Sequence, residues 1–64
     1  MEIKKEDIKI GYSFCYYGKE IYEVVAIFQD DGETLYVAKT LECFGTYSYS
    51  IFYFNCNGIL TEHI

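Results

Sequence analysis

From Ile8 onward the chain is written in steps of two. Ile8, Ile10, Tyr12, Phe14 and Tyr16 fall on one side, and Lys9, Gly11, Ser13, Cys15 and Tyr17 on the other. Side chains of a strand alternate between faces, so this spacing predicts a half-buried β-strand. Gly11 marks a bulge at which that strand bends. Gly18-Lys19-Glu20 then turns the chain, and residues 21–29 predict its strongest strand. Tyr22, Val24, Ala26 and Phe28 form an unbroken apolar face there, while Ile21, Glu23, Val25 and Ile27 opposite are only partly polar. A strand apolar on both sides is central in a sheet or covered by another chain.

Asp30-Asp31-Gly32-Glu33 follows, and Asp-Gly suits a type I′ hairpin turn because both central residues need positive φ. With that turn at Asp31-Gly32, Phe28 is expected opposite Leu35, Ala26 opposite Val37, Val24 opposite Lys39 and Tyr22 opposite Leu41. Asp30 then faces Glu33. Residues 43–46 turn the chain into a fourth strand over 46–54. Tyr47, Tyr49, Ile51 and Tyr53 share one of its faces, and Ser48, Ser50, Phe52 and Phe54 the other. Asn55-Cys56-Asn57-Gly58 is the last turn, before a short strand or helical turn over 59–64. A tight turn at Asn57-Gly58 would set Phe52 against His63 and Asn55 against Leu60, which is a poor match. No segment has helical periodicity. The expected fold is all-β, one domain over residues 1–64: a five-stranded antiparallel SH3-like small barrel, or an open curled sheet completed by dimerisation.

The run Gly11-x-x-Phe14-x-Tyr16-x-Gly18-Lys19-x-x-Tyr22-x-Val24 resembles the opening hairpin of small SH3-like barrel proteins encoded by bacteriophages and other mobile elements. The resemblance spans residues 8–41, with Ile21 as an extra residue before the usual tyrosine. It implies a small barrel. Acidic proteins of that kind bind and disable host proteins, sometimes by imitating the charge of DNA.

Composition adds a problem of stability. Of the 64 residues 52% are apolar and 20% aromatic, more than so short a chain can hide in its own core. Self-association offers the missing burial, and a homo-oligomer is expected. Disulfides do not. Cys15, Cys43 and Cys56 are odd in number and form no CxxC pair, so they are expected to be reduced, small core residues. The charged start, Met1-Glu2-Ile3-Lys4-Lys5-Glu6-Asp7, is no signal peptide, and no apolar run approaches the roughly 20 residues of a membrane span. A cytoplasmic protein is expected.

Charge narrows the partners. Residues 1–10 sum to zero, so the net charge of −5 arises from Gly11 onward. Glu20, Glu23, Asp30, Asp31 and Glu33 fall in one stretch of 14 residues without a base. Such a stretch repels phosphates, which disfavours direct nucleic-acid binding. It would instead steer a basic protein into contact.

Candidate chemistry is sparse. Cys15, Cys43, Cys56 and His63 are the ligand types of a structural zinc site, but no two come from one short turn, so no metal or other cofactor is expected. Asp30 with Asp31 or Glu33 could pair as acid and base only in a desolvated site, and a hairpin tip is not one. No catalytic residues and no enzymatic activity are expected. Tyrosine is different, because it offers rigid apolar area with a polar tip. Tyr47, Tyr49 and Tyr53 are therefore candidate partner-binding residues, together with Glu20, Glu23, Asp30, Asp31 and Glu33. The expected function is a non-enzymatic protein-binding module, an inhibitor of a host nucleic-acid-handling or defence protein. The alternatives are a small nucleic-acid or nucleotide binder stacking bases on tyrosines, and a structural subunit of a larger assembly.

Overall fold

In the computed structural model of the chain, which describes residues 3–16 and 20–63, Asp31 and Gly32 have φ of 52° and 78°. They close the tight turn that Asp-Gly predicts. The turn joins the two longest of five strands: β1 (Ser13–Tyr16), β2 (Glu20–Asp30), β3 (Glu33–Leu41), β4 (Tyr47–Phe54) and β5 (Leu60–His63). Each strand pairs antiparallel with the next, so the sheet order is the chain order. The sheet is strongly curled into a half-barrel. Its inner face holds the core of Phe14, Tyr22, Val24, Tyr36, Ala38, Phe52 and Leu60.

Phe52 explains the curl. Its ring, on β4, lies 5.2 Å from Phe14 and 5.0 Å from Tyr16, both on β1, and 5.0 Å from Tyr22 on β2. In a flat sheet, β1 and β4 would stand three strand spacings apart, about 14 Å. Curling brings three rings around one fully buried side chain in edge-to-face contacts, a favourable geometry for aromatic quadrupoles.

The bend has a visible cause in β2. Phe28 faces Leu35 and Ala26 faces Val37, as the turn predicts, but the register shifts between Val24 and Ala26. Val24 then lies opposite Ala38, not Lys39, and Tyr22 opposite Thr40, not Leu41. Val25 is the extra residue of a β-bulge. The bulge breaks the expected unbroken face: Tyr22 and Val24 point inward, while Phe28 points outward and is 54% exposed. Without it, Tyr22 and Val24 could not share the inside with Tyr36 and Ala38.

The first strand is shorter than its alternation predicts. Lys5–Asp7 form a 3₁₀ turn, Ile8 is buried, and Ile10 sits exposed on a reverse turn closed by Tyr12 N–H to Lys9 O. Gly11, with φ of 95°, occupies the third place of that turn. Gly11 N–H donates to Val24 O and Val24 N–H to Tyr12 O, so two residues oppose one. Gly11 thus does sit at a bulge, and that bulge begins the ladder.

The last two hairpins share one design. Gly45 N–H donates to Glu42 O and Glu42 N–H to Thr46 O; Gly58 N–H donates to Asn55 O and Asn55 N–H to Ile59 O. Each is a three-residue loop ending in a glycine of positive φ. Asn55 Oδ1 also accepts from the N–H groups of Asn57 and Ile59. This loop replaces the tight Asn57-Gly58 turn, so Phe52 faces Glu62 and Phe54 faces Leu60. The segment after it is a strand. The Gly18-Lys19 turn and Tyr17 lie outside the described residues.

Candidate functional site

Because the inner face is closed on its own core, what the sheet offers to other molecules is its convex outer face. Pairing and alternation place four rows of side chains across β2, β3 and β4 there. Continuing the strand pairing by one residue at its ends, they run Ile21–Leu41–Tyr47, Glu23–Lys39–Tyr49, Ala26–Val37–Ile51 and Phe28–Leu35–Tyr53. Three rows are wholly apolar or aromatic. Leu41 is 61% exposed, Tyr49 64% and Ile21 67%. Tyr47 and Tyr49 stand outside the core. Serines occupy the inward positions of that half of β4, and Phe52 fills the centre alone.

The charged row sits among the apolar ones. Glu23 is opposite Lys39, and the Lys39 ammonium lies 4.4 Å from the centre of the Tyr47 ring. That cation–π contact holds the lysine flat along the face, so its methylenes extend the apolar surface.

The eight expected partner-binding residues separate into groups. Tyr47, Tyr49 and Tyr53 share the outer face with Glu23, Asp30 and Glu33, and Asp31 stands in the turn at its end. From that acidic tip to Tyr47 is the length of β3, about 27 Å. Glu20 is elsewhere. Opposite Tyr16, it sits on the inner side, where its Oε2 accepts a 2.6 Å hydrogen bond from the Tyr22 hydroxyl. That bond, aided by burial, pushes the Tyr22 phenol up to about 12. Burial raises Tyr36 as well.

Phe28, Leu41, Ile21 and Val37 belong to the face but were not among the expected residues. The alternation of β3 carried a signal for two of them, Val37 and Leu41, since with Leu35 they alternate with Tyr36, Ala38 and Thr40 and both sets cannot be inside. Phe28 had none, because its side depends on the bulge.

The cysteines also differ from expectation. Cys15, Cys43 and Cys56 are exposed rather than in the core: Cys15 faces outward on an edge strand, and the others open the three-residue loops. Cys43 and Cys56 are at opposite ends of β4. Among the described residues no group of three or more His, Cys, Asp or Glu gathers as metal ligands would. No helix among them is long and apolar enough to cross a membrane.

No family model, curated protein or solved structure matches the chain. The outer face must therefore be read from its own chemistry.

Proposed function

We propose that the protein is a non-enzymatic binding module whose outer sheet face docks a basic protein. The observation that carries this is the exposure of Ile21, Phe28, Leu41, Tyr47, Tyr49 and Ile51 on one continuous face. Their exposed area is roughly 700 Å², near the ~800 Å² that one partner contributes to a standard interface. Curvature and charge then favour one kind of occupant. A second copy meets this face convex against convex and covers a strip of it, whereas a partner with a concave groove covers it whole. Glu23, Asp30, Asp31 and Glu33 border the apolar rows, so the groove would carry basic residues on its rim. A nucleic-acid-handling protein has such a surface, and occupying it would inhibit that protein.

The test is affinity capture of the partner, followed by calorimetry and stopped-flow kinetics on the purified pair. Phe28→Ser with Tyr49→Ser should weaken binding at least tenfold through faster dissociation. Asp30→Asn with Glu33→Gln should slow association at low salt instead. Unchanged affinity in both variants would refute the reading. A dimer in sedimentation that dissolves on Tyr49→Ser would put a second copy in the partner's place.

A further inference from the structure

We propose that the open seam between β1 and β5 is a slot for one extended strand of a partner protein, which pairs with both edges and closes the half-barrel. The slot is distinct from the outer face and does not depend on it. Strands of a meander alternate in direction, so β1 and β5, first and last of five, run parallel to each other. A single strand running the opposite way between them is antiparallel to both.

The edges are prepared for it. Val24 N–H donates to Tyr12 O, so Tyr12, Phe14 and Tyr16 turn their backbone groups toward β2. By alternation Ser13 and Cys15 turn theirs toward the seam. On the far side, Glu62 N–H points away from β4 and donates to the Tyr16 hydroxyl at 3.2 Å. A phenol oxygen there takes the place of a neighbouring strand's carbonyl. The tyrosine side chain and that hydrogen bond together reach at most about 9–10 Å, or two strand spacings, so a strand that enters here must displace the Tyr16 hydroxyl from Glu62 and put its own carbonyl there. Beside β1 runs a groove of about 270 Å³ lined by Ile3, Tyr12, Ser13, Phe14 and Cys15.

The two ends of the slot define its occupant. At the Tyr16 end stand Glu20 and Glu62, both close enough to act on the Tyr22 hydroxyl. At the Tyr12 end the groove is mainly apolar. A strand antiparallel to β1 enters beside Tyr16 and leaves beside Tyr12, with every second residue facing inward. Its inward residues are therefore basic, apolar, apolar at positions i, i+2 and i+4. Within this chain that pattern occurs only at Lys39-x-Leu41-x-Cys43, whose start is locked in β3 between two neighbours. The occupant is a foreign strand.

The probe is an end-capped peptide, Thr-Arg-Thr-Val-Thr-Val-Thr, added to the isotope-labelled full chain. Amide exchange should slow about tenfold at both Cys15 and Glu62 and stay unchanged at Val37. Replacing the peptide's arginine by glutamate should weaken binding about tenfold. Backbone N-methylation on the edge-facing residues should abolish it, because the hydrogen bonds supply the affinity. Cys15→Pro, at a backbone position outside the β1–β2 ladder, should do the same, while Tyr49→Ser on the outer face should not. No protection at either edge, protection at one edge alone, or equal binding of the N-methylated peptide would each overturn insertion.

Discussion

Tyr22 is the residue through which the core meets charge. Its phenol is raised from 10.0 to about 12, chiefly by donating to Glu20 and then by burial. A folded-state pKa above the unfolded value adds stability that is complete below pH 10 and is lost as pH rises toward 12. Tyr36, raised by burial, acts in the same direction. Melting temperature should therefore fall across pH 10–12, and Tyr22→Phe should fall less steeply; equal slopes would show that the Glu20 bond does not couple to folding. Gly32 poses a different residue-scale question. With φ of 78° and open space where a Cβ would stand, it resists substitution through its backbone alone. Gly32→Val should cost roughly 1–3 kcal/mol in denaturant melts. Neutralising its neighbours Asp30 and Glu33, which face each other across the tip, should leave stability unchanged or slightly raised.

At the scale of elements, the chain's punctuation was legible and its registers were not wholly so. Asp31-Gly32 gave a correct turn and three correct pairs, since a type I′ turn sets the pairing beside it. One residue beyond the last of them, Val25 broke that register, and nothing in an apolar Val-Val-Ala run distinguishes a bulge from regular strand. Glycine positions likewise announced the last two turns, but not that each closes a loop of three residues. Deleting Val25 tests the bulge directly. The deletion joins Val24, opposite Ala38, to Ala26, opposite Val37, so both faces keep their residues while the kink is lost. The straighter hairpin should hold Phe14 and Tyr16 less closely on Phe52. A lower melting temperature and weaker near-ultraviolet circular dichroism are expected, and a variant as stable as the parent would mean that the bulge does not set the curl.

The whole molecule depends on one ring. Phe52 is fully buried and touches rings from both β1 and β2. Phe52→Ala should cost about 3–5 kcal/mol, a large part of what a small domain has, and leave the protein largely unfolded at room temperature. Phe28→Ser with Tyr49→Ser removes comparable apolar area from the outer face and should leave the denaturation midpoint nearly unchanged. That contrast between two apolar surfaces of similar size separates the one that folds the protein from the one left for a partner.

Local chemistry in the sequence determined the elements. Period-two alternation specified strands, Asp31-Gly32 a tight turn, and Tyr47, Tyr49 and Tyr53 a common face, because each depends only on residues near in the chain. Which face became the inside was decided by tertiary structure. Both faces of β2, β3 and β4 are apolar enough to be buried, and their hydrophobicity does not choose between them. The choice fell to volume and curvature. Phe52 and the rings around it fill the hollow of a curled sheet, the bulge at Val25 brings Tyr22 and Val24 to that side, and the tyrosines of β4 are left on the convex one. The same curl brings the parallel edges of β1 and β5 within reach of one more strand, a relation between residues 46 apart that no local pattern contains.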